Sequence, residues 1–237
     1  MTFGATEALA ALDPHVIPGK AEEMAAYHKV NRPYLGVANP VLDEKAREWR
    51  RSLSVEARVS LARDLWATNI HEARILAAKL LTQARLRPDA EAWALICDWV
   101  PSFDAWAVAD HACMAGQRRL TADPSRLDEV ALWTTSEHMW TKRAALVITL
   151  PWAKLRNPKP HESAAQDRIL GWAAGYLDDK AWFIQKAVAW WVRYMSKHDP
   201  EKAAAFIDTH GARMKPFARK EAGRLLNSRT PEPPADP

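Results

Sequence analysis

Four side chains on one predicted helix could bind a polyanion. In the segment 182–197, cations and a tryptophan recur at helical spacings, which places Lys186, Trp190, Arg193 and Lys197 on one flank. The core-facing positions of the same helix are apolar: Ile184, Ala187, Val188, Trp191 and Met195. Cations beside an aromatic ring suit the phosphates, sugars and bases of a nucleic acid. The alternative interpretation is a boundary tryptophan covered by lysine stems.

A tryptophan and a carboxylate one helical turn apart form a second candidate site. If the segment 102–110 is helical, Trp106 and Asp110 are i, i+4 neighbours and share one face. Arg143 stands near the start of another predicted helix that is otherwise mostly apolar. Taken singly, these residues have simpler interpretations, namely a packed tryptophan with a surface charge and a solvated or ion-paired arginine.

The composition indicates an all-α protein with an anionic partner. Glycine is scarce, at 8 of 237 residues, and alanine-rich and aliphatic segments dominate. The net charge of +4 conceals an asymmetry, because residues 139–231 carry 17 Lys and Arg against 8 Asp and Glu. Nucleic acid fits this charge better than a membrane does, since no predicted helix keeps a broad apolar face for lipid. An acidic protein partner would explain the charge equally well.

The sequence lacks the signals of several other classes of protein. The chain has no apolar stretch near the roughly 18 residues of a membrane span and no visible signal peptide. Its two cysteines, Cys97 and Cys113, are expected to be reduced, buried thiols of a cytoplasmic protein. The eight histidines show no metal-ligand spacing, and no glycine-rich phosphate loop is present. We therefore expect neither a metal nor a cofactor.

Helices of about 10–16 residues with short, often proline-containing joints must position these side chains. The predicted starts lie near Gly19, Val41, Ser54, Asn69, Pro88, Ser102, Asp123, Glu137, Ser163, Lys180, Asp199 and Lys215. Segments 55–66 and 71–81 would pair as an antiparallel hairpin. The even rhythm of helix pairs is typical of an α-solenoid. We expect one domain over residues 1–226 and a disordered tail over residues 227–237, which contain four prolines.

The other aromatic residues are expected to pack inside this array. Tyr27 and Met24 are assigned to the core in preference to a DNA-facing surface. Eight further tryptophans are assigned to the core or to the packing between helix pairs: Trp49, Trp66, Trp93, Trp99, Trp133, Trp152, Trp172 and Trp182.

An ordered set of short segments carries a family resemblance. It runs through Lys20–Tyr27, Tyr34-Leu35-Gly36-Val37, Trp106-x-x-x-Asp110, Trp140-x-x-Arg143-Ala144-Ala145, Phe183–Trp190 and Lys220-Glu221-Ala222. In this order and spacing the set resembles the AlkD-like DNA alkylation repair glycosylases, which are built from HEAT-like helical repeats. The resemblance covers roughly residues 20–226. It implies an α-solenoid of antiparallel HEAT-like repeats with a concave basic face.

The resemblance also implies residue roles. Asp110 would be the catalytic carboxylate, with Trp106 and Trp190 as aromatic walls against the deoxyribose of the damaged nucleotide. Arg143 would contact the phosphate beside the lesion. Where many relatives have an acidic residue after the first tryptophan, this chain has Ala107, which puts the rate and the substrate range in question. The remaining cations of the first site (Lys186, Arg193 and Lys197) are expected to bind DNA.

The function implied is a monofunctional DNA glycosylase that removes cationic alkylated purines, N3-alkyladenine and N7-alkylguanine. Such a base is already a good leaving group, so the site needs a carboxylate that stabilises the cationic sugar and orients water. We expect a monomer that acts on double-stranded DNA in the cytoplasm, associated with the nucleoid when bound. Two alternatives stay open. One is a non-catalytic helical-repeat binder of damaged or structured DNA, and the other is a protein-interaction scaffold.

Overall fold

Helices supply all the regular secondary structure in residues 3–226, the part of the chain that the computed structural model describes, apart from one isolated β-bridge between Val16 and Val37. The α-helices of this part are α1 (Ala5–Ala10), α2 (Lys20–His28), α3 (Asn39–Ser52), α4 (Val55–Ala67), α5 (His71–Leu81), α6 (Ala90–Trp99), α7 (Trp106–Ala122), α8 (Leu127–Trp133), α9 (Met139–Ile148), α10 (Pro160–Gly175), α11 (Trp182–His198), α12 (Pro200–His210) and α13 (Pro216–Ala222). Short 3₁₀-helices lie at Asp13–His15, Val100–Ser102, Pro124–Arg126 and Trp152–Lys154. The predicted all-α class is confirmed.

Local capping signals explain where the helices begin. Every α-helix after α1 starts within four residues of a predicted position. The side chain of Ser54 accepts the N–H of Ala57 at 3.2 Å, and that of Asp199 accepts the N–H of Lys202 at 3.0 Å. Between α4 and α5, Asn69 adopts a left-handed φ of 57°, as a residue that ends a helix often does.

The chain divides into two compact units, Met1–Arg126 and Leu127–Pro237. Helices α1–α7 belong to the first unit and α8–α13 to the second. The expectation of one domain over residues 1–226 stays a prediction, since repeats that contact only their neighbours can also divide into compact parts. The predicted disorder of the tail, residues 227–237, concerns residues outside the described range.

Helix α5 is the central helix of the first unit. It packs against α3, α4 and α7, and all of its residues except Arg74 are buried. Two of those buried residues, His71 and Glu72, are polar and lie in its first turn. Neither cysteine of this unit forms a disulfide; Cys113 is buried, as predicted, whereas Cys97 is only half-buried. A polar N-terminus of α5 is thus enclosed within an apolar core.

Helix α11 is the corresponding central helix of the second unit and packs against α9, α12 and α13. Its core-facing positions are those predicted from the periodicity, and all are at most 2% exposed: Ile184, Ala187, Val188, Trp191 and Met195. Within residues 3–226, no helix combines the length and the apolarity that a membrane crossing needs.

Candidate active site

The start of α7 presents the predicted tryptophan and carboxylate on one face. Trp106 is the first residue of α7 and is 38% exposed, and Asp110 follows one turn later, half-buried. Met114, a further turn along, is 47% exposed. The opposite side of α7 is buried against α5 and α6, and its residues Ala107, Val108 and Ala109 are at most 6% exposed. The packing therefore fixes which side of α7 faces solvent.

Two rings contact the Trp106 indole within the first unit, and two more lie behind them. Tyr27 approaches it edge-on with ring centroids 6.2 Å apart, and His28 lies 5.6 Å away. Behind them, His71 lies 4.3 Å from His28 and 4.8 Å from Tyr34. We call these five residues the aromatic cluster. Tyr27 is 69% exposed, so its assignment to the core from sequence was wrong.

The imidazoles of the aromatic cluster are uncharged near neutral pH. Burial, reinforced by the nearby His28 and Arg32, lowers the pKa of His71 to about 3. Burial also lowers the pKa of His28, although the carboxylate of Glu72 acts in the opposite direction. Burial raises the pKa of the Tyr34 hydroxyl. Trp106 is thus supported by neutral rings, which leaves its own face available to a cationic group.

A buried carboxylate holds the loop that leads into this cluster. Glu72 is 0% exposed and accepts the backbone N–H groups of residues 35, 36 and 37 at 3.0, 2.7 and 3.2 Å. Gly36 adopts a φ of 82°, and a Cβ there would lie 3.0 Å from the backbone nitrogen of Ala21. Only glycine fits this backbone without strain. The segment Tyr34-Leu35-Gly36-Val37 therefore has a structural role beside the site.

Charged side chains flank α7 on both sides of the Trp106–Asp110 pair. Before the helix, Asp104 forms an ion pair with Arg32, and the Arg32 side chain is only 1% exposed. After Asp110, His111 turns toward the Lys79–Asp43 ion pair (2.5 Å). Burial and the nearby Lys79 ammonium together lower the pKa of His111 to about 4, although the Asp43 carboxylate acts in the opposite direction. His111 is therefore a structural residue.

The second unit carries Trp190 and Arg143. Trp190 is half-buried on α11 with its ring 6.0 Å from that of Tyr194, while its neighbour Trp191 is completely buried. Arg143 lies in α9 and is 3% exposed, with its guanidinium 5.6 Å from the ring centroid of Trp140. An arginine this enclosed meets a phosphate only through the part of its guanidinium left uncovered. The phosphate contact stays a prediction.

Lys186 and Arg193, two of the other predicted DNA-binding cations, contact side chains of the same unit. The Lys186 ammonium lies 4.6 Å from the ring centroid of Trp182. Arg193 forms an ion pair with Glu221. Lys197 is exposed near the C-terminal end of α11. Lys186 and Lys197 are thus both accessible to solvent, and Glu221 partly neutralises the charge of Arg193.

The tryptophans assigned to the core follow the expectation with one clear exception. The following are at most 6% exposed: Trp49, Trp66, Trp93, Trp99 and Trp152. Trp133 and Trp172 are half-buried. Trp182 is 49% exposed and so does not belong to the core, although it stacks on Phe217 of another helix, α13. The sequence analysis also missed the contact between the rings of His28 and Trp106. The one indication of it in the sequence was that His28 directly follows the segment Lys20–Tyr27.

The structure therefore brings Trp106 and Asp110 together in the first unit, while Arg143, Trp190 and the three cations belong to the second. Among the described residues, no group of three or more His, Cys, Asp or Glu side chains could hold a metal ion. Within the first unit, the site thus consists of an exposed indole, a carboxylate one turn away and a neutral aromatic support.

Comparison with known proteins places this arrangement in context. A family model described as DNA alkylation repair enzyme matches residues 8–226. A solved structure from Enterococcus faecalis, titled a predicted DNA alkylation repair enzyme, is 21% identical with a TM-score of 0.75, covering 90% of this chain and 97% of its own. AlkD2 from Streptococcus mutans is 17% identical with a TM-score of 0.62, covering 95% and 99%. No curated protein matches the chain. The predicted fold of AlkD-like helical repeats is confirmed, while its concave basic face stays a prediction.

Proposed function

The chain belongs to the DNA alkylation repair enzyme family, and from this premise we propose that it is a monofunctional DNA glycosylase. It hydrolyses the N-glycosidic bond of cationic alkylated purines, N3-alkyladenine and N7-alkylguanine, in double-stranded DNA, and it acts as a monomer. The observation that carries the proposal is the pairing on α7 of a 38% exposed indole with a half-buried carboxylate one turn away. A protein that only binds DNA gains nothing from a carboxylate at that place, because the negative charge of a carboxylate repels phosphate.

The chemistry assigned to Asp110 is electrostatic. An alkylated purine with a positive charge leaves as a neutral base when the C1′–N bond breaks, so no acid is required. The sugar then carries positive charge at C1′, and the carboxylate of Asp110 stabilises it and orients a water molecule. The water oxygen bonds to C1′, and its proton passes to the carboxylate or to solvent. The product is a free base and an abasic site.

The tryptophans would act through their ring faces. Trp106 and Trp190 each offer a negative quadrupole to the cationic sugar, a contribution of about 0.5–2 kcal/mol per ring depending on desolvation. The neutral imidazoles behind Trp106 support this role, since a charged His28 only 5.6 Å from the indole would compete for the same ring. Ala107 is 6% exposed beneath the pair, so it meets the core and not the substrate.

The cations of the second unit would hold the phosphodiester backbone. Lys186 and Lys197 are exposed on α11, and Arg143 lies at the Trp140 ring in α9. Contacts to phosphate release counterions, so affinity should fall steeply as salt is raised, with a log–log slope of about −0.9 per phosphate contacted.

The test is release of free base from a duplex that contains one N7-methylguanine. Wild type should release the base, and Asp110→Asn should be slower by about 10²–10³-fold, the usual cost of removing one electrostatic group from a reacting centre. Trp106→Ala and Trp190→Ala should each be slower by about 2- to 30-fold, the rate equivalent of their ring contributions. DNA affinity of Asp110→Asn, measured by fluorescence anisotropy, should stay within about twofold of wild type because a carboxylate makes no phosphate contact.

The outcomes separate the alternatives. Absence of release by wild type, with salt-sensitive DNA binding intact, would make the protein a binder of damaged or structured DNA. Absence of both release and binding would favour the protein-interaction scaffold. Met114→Ala, on the same exposed strip of α7, is the matched control and should release base at the wild-type rate.

A further inference from the structure

Trp182 and Phe217 form an exposed aromatic pair that the glycosylase chemistry does not use. Of the described residues, the exposed large aromatics are Tyr27 and Trp106 in the first unit and Trp182 and Phe217 in the second. Trp182 is 49% exposed and Phe217 is 37% exposed, and their rings are stacked at 22° with centroids 5.9 Å apart. Two adjacent rings left open to water are a feature of binding surfaces more than of cores.

Hydrogen bonds in the second unit fix the position of Trp182. The Gln185 amide is completely buried and donates to the backbone carbonyls of residues 176, 177 and 179 at 2.9, 3.2 and 2.8 Å. The Asp179 carboxylate accepts the N–H of Ala181 at 2.8 Å and the Lys142 ammonium at 3.0 Å. The loop that leads into α11 is therefore held on both sides, and Trp182 follows it directly.

Phe217 is tied to the same loop. It is the second residue of α13, and the Lys215 ammonium just before that helix donates to the carbonyl of Lys180 at 2.5 Å. This contact joins the start of α13 to the start of α11. The two rings thus form a prearranged surface, which lowers the entropy lost when a ligand binds.

The charge around the Trp182–Phe217 pair is positive. The flanking segments 178–187 and 213–224 contain seven Lys and Arg against three Asp and Glu. Each of the three carboxylates is in an ion pair: Asp178 with Arg213, Asp179 with Lys142, and Glu221 with Arg193. The Lys186 ammonium lies 4.6 Å over the Trp182 ring. Aromatic faces beside surplus cations complement a ligand that has flat bases and phosphates.

A continuous row of rings connects this pair with the predicted phosphate contact. Phe183 lies 5.0 Å from Trp182 and 4.7 Å from Trp140, whose ring carries the Arg143 guanidinium. All of these residues belong to the second unit. The exposed Trp182–Phe217 pair is thus linked by ring contacts to the residues beside the predicted phosphate contact.

We propose that the Trp182–Phe217 pair is a stacking site for an unpaired nucleobase of a bound DNA strand, with Lys186 on the adjoining phosphate. A base within a duplex is covered on both faces by its neighbours, so only an unstacked base can use these rings. Stacking on an aromatic side chain is sequence-tolerant, because every base has a π-face. The inference rests on the proposed function in one respect, that DNA is the ligand.

The experiment uses two duplexes without alkylation damage, one with 2-aminopurine as a single-nucleotide bulge and one with it fully paired. Wild type should bind the bulged duplex more tightly and quench its 2-aminopurine fluorescence. Trp182→Ala and Phe217→Ala should each weaken binding of the bulged duplex by about 5- to 140-fold, the range that follows from base stacking, and should abolish the quenching. Affinity for the paired duplex should stay within about twofold of wild type, because the pair does not contact stacked bases.

Trp172→Ala is the matched control, since it also removes a tryptophan with a cation over its ring, that of Arg168 at 5.5 Å. It should bind and quench as wild type does. Trp182→Phe should restore most of the bulge preference, because the stacking face is kept. Circular dichroism of each variant checks that the fold is intact.

Three results would overturn the inference. One is equal affinity and quenching in wild type, Trp182→Ala and Phe217→Ala. The second is a change of self-association in these variants, seen by sedimentation, without a change in bulge binding, which would make the surface an interface between copies. The third is absence of DNA binding by wild type. Base release from N7-methylguanine without base stacking would support the proposed function and refute the stacking site. Base stacking without base release would support the stacking site and refute the glycosylase function.

Discussion

Replacing Glu72 with glutamine tests whether a buried carboxylate holds the loop beside the aromatic cluster. The carboxylate is fully enclosed and accepts the N–H groups of residues 35–37 at 3.0, 2.7 and 3.2 Å. Glutamine keeps one acceptor oxygen and places an NH₂ group in the position of the other, so at least one backbone N–H faces a donor. A hydrogen bond to a charged group contributes about 1.5–3 kcal/mol, and those that remain weaken to neutral strength. The free energy of unfolding should fall by about 2–4 kcal/mol.

Urea denaturation followed by circular dichroism measures this loss. The control is Glu23→Gln, which removes an exposed carboxylate 2.7 Å from Lys20 and should change stability by less than about 0.5 kcal/mol. Because the loop carries Tyr34 of the aromatic cluster, base release by Glu72→Gln should also be slower than release by Glu23→Gln at a temperature where both are folded. Equal stability of the two variants would refute the argument that the buried carboxylate organises this loop.

Three further predictions follow from the same geometry. Gly36→Ala should lower the free energy of unfolding by about 1–3 kcal/mol, because the positive φ is strained for alanine, and a urea midpoint equal to that of wild type would contradict this. The pKa of His71 is about 6.5 in the unfolded chain and about 3 in the folded chain, so the free energy of unfolding decreases as the pH is lowered from about 6.5 to about 3. His71→Phe should make the stability less sensitive to pH in this window, by up to about 1.4 kcal/mol per pH unit, as measured by urea denaturation. In DNA binding, Lys186→Ala should reduce the magnitude of the log–log salt slope by about 0.9, and Arg193→Ala by less, because Glu221 already partly neutralises that guanidinium; equal reductions would contradict the ion pair.

Helix positions and the buried face of α11 were predictable because their signals are local. A serine or aspartate cap and a proline in the first turn act within a few residues, as Ser54, Asp199 and Pro200 do. Periodicity alone separates Trp191, which is 0% exposed, from its half-buried neighbour Trp190. Helix α1 was missed because six residues are too few to show a period.

The partners of individual cations were not predictable from spacing. Lys186 is four residues from both Trp182 and Trp190, so a helical wheel places it beside either ring. Side chains in a helix lean toward its N-terminus, and Lys186 accordingly lies over Trp182. The link of Glu72 to residues 35–37 joins positions more than thirty residues apart, and nothing local signals it. The sequence therefore did not reveal toward which neighbour a helical side chain leans, or which residues far apart in the chain contact each other.

The same lean toward the N-terminus explains why three aromatic side chains are exposed. Trp106 is the first residue of α7, Trp182 is the first of α11, and Phe217 is the second of α13. A side chain at such a position leans beyond the end of its own helix, where there is no preceding turn to cover it. Mid-helix, Trp191 is enclosed, and Trp191→Ala should cost about 3–5 kcal/mol of stability. Trp106→Ala and Trp182→Ala should cost much less, because both rings already contact water. Loss of base release or of base stacking in these two variants, with the urea midpoint near that of wild type, would therefore report on function and not on folding.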